Sequence, residues 1–351
     1  MTENTNPFLT AYHTPFETTP FHLIKTEHFE PAIEEGMKVH NQEVDAIIHC
    51  PDEPTFHNTI VALEKSGSLL DRVSTVFGNL LSAETSDELE AIAERVMPRL
   101  SEHSNNISLN EKLFARIKQV YDETDKEALT PEERMLLQNT YNGFIRSGAN
   151  LAPEQKERFR QLSAELSVLT LKFSQNNLKE TNRYELPQSA LDAYAQAAKD
   201  KNKDGYLVTL HAPSFVPFMK YSTHRVLRQQ LYMAYNTQCT HDDEYNNLKI
   251  VQKLVNLRLE RAQLLGFDTV ADYVLSRRMA ENSTNVYKLL NELLEAYTPT
   301  AHQEVEEVKN LAKEVEGEDF ELMPWDWSYY SEKLKEKKFN LNEESLRPYF
   351  E

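Results

Sequence analysis

The sequence predicts an all-α protein, and both its composition and its apolar periodicity indicate this class. Only 8 of the 351 residues are glycine, which disfavours a sandwich or barrel built on many tight turns. Long tracts rich in Glu, Lys, Leu, Ala and Gln carry apolar residues every three or four positions, the spacing of amphipathic helices. The length exceeds the usual size of one compact domain, so we expect one large helical unit or two packed subdomains.

The charge balance and the absence of targeting signals narrow the class of protein further. The chain has 56 acidic and 38 basic residues, which gives a net charge of -18 and disfavours nucleic acids and anionic membranes as partners. No apolar run approaches the roughly 20 residues that span a bilayer, and the N-terminus lacks a secretory signal. The cysteines, Cys50 and Cys239, match no metal or redox spacing and are expected to be free thiols. These features predict a cytoplasmic protein.

Helix start signals follow the Pro- and Thr-rich residues 1–22. A helix is predicted from about Thr55, and Thr85 with Glu88 has the spacing of a capping box that would start the next helix. The broad apolar stripe of the first of these helices comprises Ile60, Leu63, Leu70, Val73, Phe77 and Leu81.

Two further helices are predicted in the first half of the chain. Thr130 is expected to cap a helix in which Pro131 takes the first position and Glu133 completes the capping box, with Gly148 as the stop. A long amphipathic helix is predicted over residues 153–178. Its apolar residues are Phe159, Leu162, Leu166, Leu169 and Phe173.

The region 182–222 interrupts the helical pattern. Short β-prone stretches at 184–187 and 206–210, followed by Pro213 and Pro217, predict a small hairpin near 184–210 or an extended link. We therefore divide the chain into an N-terminal helical lobe (1–180), a short β-prone link (181–222) and a helical region (223–351).

The helical region is predicted to contain two long helices. The first runs from Leu248 to Leu265 and ends at Gly266 in the manner of a glycine C-cap. The second opens near Ser283 and continues to Gly317, with a kink at Pro299.

Two sets of side chains contain residue types that can bind a metal ion. His302 and Glu306 lie one helical turn apart, but two ligands are too few for a zinc site and their neighbours resemble a solvated face. A cluster of His211, His224 and His241 could also be imagined, although the acidic run beside His241 serves equally well as an N-terminal cap for the next helix. No metal site and no Ser or Cys nucleophile motif is therefore predicted in this chain.

The densest aromatic cluster lies near the end of the sequence, at Trp325-Asp326-Trp327-Ser328-Tyr329-Tyr330. The cluster could line a peptide groove, and Trp325, Asp326 and Tyr329 are the candidate channel-lining residues. Alternatively, the aromatic side chains form core, and Asp326 caps a helix running from Trp327 through Lys338.

Several short segments spread along the whole chain form one recognisable pattern. They are Asn6-Pro7-Phe8-Leu9, Thr55-Phe56-His57-Asn58-Thr59-Ile60, Phe173-Ser174-Gln175-Asn176, Ala212-Pro213-Ser214-Phe215 and Leu264-Leu265-Gly266-Phe267. In their order and spacing these segments resemble the thimet oligopeptidase family of zinc metallopeptidases, which has a neurolysin-like fold. Tyr273-Val274-Leu275 and Trp325-Asp326-Trp327 favour its peptidyl-dipeptidase (dipeptidyl carboxypeptidase) branch over the oligopeptidase A branch.

The resemblance implies two helical lobes flanking a deep channel that admits short peptides. In the family, the histidines of a His-Glu-x-x-His motif and a more distant glutamate hold zinc. No His-Glu dipeptide occurs in this sequence. The chain is therefore expected to be the N-terminal part of a longer parent peptidase, forming one lobe and the start of the second. Zinc and the catalytic domain would belong to the rest of the parent, and this chain would have no catalytic residue and no activity alone.

The alternative hypothesis is a complete, non-catalytic peptide-binding or scaffold protein derived from such a peptidase. The resemblance argues against it, because the sequence stops where the family continues. A lobe separated from its partner should also expose apolar surface that the partner would cover.

Overall fold

The computed structural model describes residues 6–184, 208–341 and 348–349, and these residues form an all-α fold without strands. The predicted fold class is confirmed. The helices are α1 (Phe29–Ile48), α2 (Ala62–Lys65), α3 (Ser68–Ala83), α4 (Asp87–Ser108), α5 (Glu111–Glu123), α6 (Pro131–Arg146), α7 (Pro153–Arg183), α8 (Ala212–Tyr221), α9 (Arg225–Asn236), α10 (Leu248–Leu264), α11 (Val270–Leu275), α12 (Ser283–Glu316) and α13 (Trp327–Phe339).

The chain forms two compact units, and each unit combines two separate segments of sequence. The first unit comprises Met1–Lys172 and Lys253–Val270, and the second comprises Phe173–Gln252 and Ala271–Glu351. Both units are discontinuous, whereas the lobes predicted from sequence are sequential. The lobe boundaries at 180 and 223 stay a prediction.

The core of the first unit begins where α1 packs against α3 and α4. The ring of Phe29 lies 5.2 Å from that of Phe8 and 5.3 Å from that of Phe77, measured between centroids. Gly36 of α1 allows a close helix approach, because a Cβ there would stand only 2.9 Å from the Cα of Leu70. Burial of these apolar side chains is the main stabilising term of the unit.

A second cluster in the same unit joins α1 to α5 and α6. The predicted capping box of α6 is confirmed, since the Glu133 N–H donates to Thr130 Oγ1 and the Thr130 N–H donates to Glu133 Oε2. Gly148, with φ of 87°, follows the end of α6 as expected. The sequence therefore located both ends of this helix.

Two helix predictions need correction: the helix that begins at Thr55 is not continuous, and the cap of α4 is not Thr85. Thr55 caps a π-helical turn (Phe56–Val61) and the short α2, and the pattern then breaks at Gly67, whose φ is 73°. The single helix expected there is thus divided. The N-cap of α4 is Ser86, which accepts a hydrogen bond from the Leu89 N–H, so Thr85 and Glu88 do not form the predicted box.

The predicted link 181–222 is only partly described, because residues 185–207 lie outside the described part of the chain, and with them most of the predicted hairpin. Its described end contradicts an extended link, since α8 occupies Ala212–Tyr221. Pro213 lies in the first turn of α8, where the missing N–H has no intrahelical role. Pro217 lies inside the helix, and burial of Phe218 and Met219 offsets its cost.

The long helices behave largely as predicted. Gly266, with φ of 85°, ends α10, and the Phe267 N–H returns to the carbonyl of Ala262 at 3.0 Å. α12 runs as one helix through Pro299 to Glu316, and Gly317 follows it with φ of 115°. Its C-terminal half packs Val308 and Ala312 against Tyr329 and Tyr330 of α13. Among the described residues, no helix is both long and apolar enough to cross a membrane.

Candidate functional site

The aromatic segment singled out from sequence forms the junction between α9, a short 3₁₀ turn (Pro324–Asp326) and α13 in the second unit. The side chain of Asp326 is fully buried. Its Oδ2 accepts a hydrogen bond from the Met323 N–H at 3.1 Å, which closes the turn before α13. Asp326 occupies the N-cap position of α13 as predicted, but its side chain makes no capping hydrogen bond to that helix.

Two arginines from the first turn of α9 bind the Asp326 carboxylate. Arg225 donates from Nε and Nη2 at 3.0 and 2.8 Å to Oδ2, and Arg228 donates from Nη2 at 2.7 Å to Oδ1. The Asp326 hydrogen bond holds the pKa of Arg225 above its usual value. Because one carboxylate cannot neutralise two guanidinium groups, the junction needs further acceptors.

Those further acceptors are backbone carbonyls and aromatic faces. Arg228 donates from Nη1 to the carbonyl of Ser222 at 2.7 Å, and its guanidinium lies 4.3 Å from the centroid of the Tyr329 ring. Arg225 stacks in the same way over Phe320, at 4.5 Å. Cation–π contacts of this kind stabilise a desolvated guanidinium. We call Asp326, Arg225 and Arg228 together the Asp326 junction.

The candidate channel-lining residues separate into two environments. Asp326 and Tyr329 are buried, whereas Trp325 is only partly buried and meets Tyr232 edge to face at 6.3 Å. Because the Asp326 carboxylate is engaged by the two arginines and shielded from water, it is not available as a general base. The role of Trp325 as a channel-lining residue stays a prediction.

Sequence reasoning missed the two arginines of the junction. An Arg-x-x-Arg spacing at the start of a helix places both guanidinium groups on one face, and this signal was present at 225 and 228. It did not identify the partner, which lies about a hundred residues further along the chain.

The histidine candidates do not converge. His241 Nε2 lies 3.4 Å from Glu180 Oε1, and the other Glu180 oxygen accepts the Cys239 N–H at 2.8 Å. The acidic run after His241 was expected to cap the next helix, but it does not cap α10. Asp243 instead accepts hydrogen bonds from the Tyr245 N–H and from Arg183. α10 begins only at Leu248.

The exposed pair on α12 also has ordinary surface partners. Glu306 accepts a 2.7 Å hydrogen bond from Lys309, and His302 is exposed. Across the described residues, no three His, Cys, Asp or Glu side chains come together in a way that could hold a metal ion.

Comparison with known proteins finds similarity to peptidases. The sequence profile described as "Peptidase family M3" matches residues 218–351, which include the Asp326 junction and α12. The dipeptidyl carboxypeptidase of Escherichia coli strain K12 is 32% identical over 99% of this chain. Residues 218–351 of this chain are therefore similar to peptidase family M3.

Two other relatives extend the comparison. Oligopeptidase A of Escherichia coli strain K12 is 32% identical over 99% of the chain, and a thimet-like oligopeptidase of Dictyostelium discoideum is 25% identical over 92%. The alignments cover 52%, 52% and 50% of the three relatives, so the chain spans about half the length of the curated relatives it matches. Equal identity to both Escherichia coli enzymes does not separate the two branches of the family.

Proposed function

We propose that this chain is the N-terminal part of a zinc-dependent metallopeptidase that removes C-terminal dipeptides from short oligopeptides. The main support is the alignment of nearly the whole chain with about half of a dipeptidyl carboxypeptidase. Tyr273-Val274-Leu275 and Trp325-Asp326-Trp327 favour this branch, with an oligopeptidase as the second choice. A cytoplasmic location for the parent is part of the same proposal.

In this proposal the chain forms part of the substrate channel wall and has no activity alone. The catalytic domain, which would hold zinc and the general base, belongs to the part of the parent that this chain does not include. The Asp326 junction fixes the position of Trp325, and Trp325 would contact short peptides passing along the wall. Its indole offers a flat apolar face with one N–H donor, which suits a peptide surface.

A peptidase assay of the purified chain tests its inactivity. With micromolar zinc added, we expect no hydrolysis of N-blocked oligopeptides above the buffer rate. Turnover that a chelator abolishes would reject the idea that the catalytic apparatus lies elsewhere.

Sequencing the gene beyond the codon for Glu351 tests the proposed parent. An in-frame continuation that encodes His-Glu-x-x-His is expected. A stop codon at that point, together with peptide binding by a monomeric and cooperatively folded chain, would favour the scaffold alternative.

The dipeptide specificity is tested on the full-length parent with paired substrates. A dipeptidyl carboxypeptidase should release dipeptides from peptides with a free C-terminal carboxylate and should lose activity on their C-terminal amides. Equal cleavage of both forms would instead favour an oligopeptidase.

A further inference from the structure

The N-terminal half of α12 is amphipathic but exposes its apolar side. Its polar residues, among them Lys288, Asn291, Glu292 and Glu295, follow one side of the helix at helical spacing. The opposite side carries large apolar residues, which we call the α12 face. The α12 face consists of Val286, Leu289, Leu290, Leu293, Leu294 and Tyr297.

The α12 face is open to solvent. Leu290 is 52% exposed, and Leu294 and Tyr297 are 66% and 65% exposed. The C-terminal half of the same helix behaves differently, because Val308 and Ala312 are buried against α13. One continuous helix thus buries its apolar side at one end and leaves it uncovered at the other. Neighbouring exposed large apolar side chains of this kind mark an interaction surface.

We propose that the α12 face is the docking surface for the catalytic half of the peptidase. This inference rests on the proposed function. The curated relatives are about twice as long as the part that aligns, so the parent would contain a polypeptide of similar size that these 351 residues do not include. α12 also lies within the residues that match the M3 profile.

Other occupants fit the α12 face less well. A second copy of the chain would bring together two molecules that each carry a net charge of -18, which opposes association. A membrane surface is disfavoured because helices that lie on membranes carry Lys and Arg on their polar side. The polar side here carries Lys288 with Glu292 and Glu295, and is therefore not basic.

Cysteine protection in a joined protein tests the proposal. The chain would be continued by the part of the Escherichia coli dipeptidyl carboxypeptidase that the alignment leaves uncovered, in a Cys50→Ser background. Leu290→Cys probes the α12 face, and Glu292→Cys is the matched control on the polar side. We expect maleimide to label Leu290→Cys at least tenfold more slowly in the joined protein than in the 351-residue chain, with Glu292→Cys unchanged. Equal labelling of Leu290→Cys in both proteins would overturn the proposal.

A second measurement on the chain alone does not depend on the joined protein. The double variant Leu290→Glu with Leu293→Glu should unfold at the same denaturant concentration as the unmodified chain, because the α12 face is not packed. A clear loss of stability would show that the face already has a partner within the chain and would reject the proposal. A dimer seen by light scattering that this variant dissociates would reject it in favour of a second copy.

The same labelling on the full-length parent, beside its dipeptidase assay, separates this inference from the proposed function. Protection of Leu290→Cys without release of dipeptides would support the docking surface and reject the dipeptidase activity. Dipeptide release without protection would support the activity and reject the docking surface.

Discussion

Asp326 and Arg228 form a buried ion pair in which Oδ1 of the carboxylate accepts from Nη2 of the guanidinium at 2.7 Å. The two side chains are 0% and 1% exposed. The pair fixes the start of α9 to the turn that precedes α13. Removing Asp326 leaves Arg228 charged, buried and without its counter-ion.

Asp326→Asn should therefore strongly destabilise the chain. The substitution keeps the shape of the side chain and removes the negative charge that both arginines require, so we expect a loss of about 3–5 kcal/mol in the free energy of unfolding. Urea unfolding followed by circular dichroism measures this loss. Asp319→Asn, at an exposed acid nearby, is the control and should stay within about 0.5 kcal/mol of the unmodified chain. Equal midpoints for the two variants would contradict the assigned role of Asp326.

Gly36→Ala should destabilise the first unit through backbone contact. The new Cβ would stand 2.9 Å from the Cα of Leu70, so α1 and α3 must separate, at a cost of about 1–3 kcal/mol. Gly78→Ala is a matched control in α3, because nothing lies within 4 Å of its new Cβ. It should stabilise the helix by about 0.5–1 kcal/mol. Thermal unfolding of both variants checks whether the two effects have opposite signs.

The His40 and His103 pair should make the stability of the chain fall in mild acid. His103 Nε2 lies 3.0 Å from His40 Nδ1, and burial lowers the pKa of both rings below the ordinary value of 6.5. Glu43 partly opposes this shift at His40, and Ser66 Oγ lies 3.3 Å from the other nitrogen of that ring. As the pH falls through 6.5, the unfolded chain binds protons before the folded chain does, so stability drops until the folded rings also titrate.

The histidine prediction is measured by denaturant unfolding between pH 8 and pH 5. The double variant His40→Gln with His103→Gln should reduce the slope of stability against pH between 6.5 and the lowered pKa values. An unchanged slope would exclude the pair as a source of the acid sensitivity.

Cys239 should be an unreactive thiol. Burial, together with the nearby Glu180 carboxylate, raises the pKa of Cys239 to about 11, and the thiolate is the reactive form. Cys50 is also free but is partly exposed. Titration of the native chain with a disulfide reagent at pH 8 should detect one fast thiol, which Cys50→Ser removes and Cys239→Ala leaves unchanged. A fast reaction in the Cys50→Ser chain would contradict this assignment.

Local signals in the sequence predicted those helix ends that depend only on neighbouring residues. Thr130 with Glu133, Gly266 and Gly317 marked helix ends correctly, because a cap or a left-handed φ involves only a few consecutive positions. The sequence could not show that Ser86 and not Thr85 caps α4, because either hydroxyl could accept a hydrogen bond from an N–H of the first turn.

Relationships between distant residues were not predictable from spacing. The Asp326 carboxylate meets arginines about a hundred positions earlier, and no periodicity joins these sites. The sequence located both ends of α12 correctly, yet periodicity cannot tell whether an apolar side is covered. Of the three site candidates, burial removed Asp326 and Tyr329 from solvent, while the role of Trp325 stays a prediction.

The interleaving of the two units has a consequence for synthesis on the ribosome. The first unit needs Lys253–Val270, and within it Arg158 binds Glu260 through hydrogen bonds of 2.6 and 2.8 Å. Residues 1–172 therefore leave the ribosome well before their last structural segment is translated. Final closure of the first unit must wait for Val270, by which time the opening segment of the second unit has already emerged.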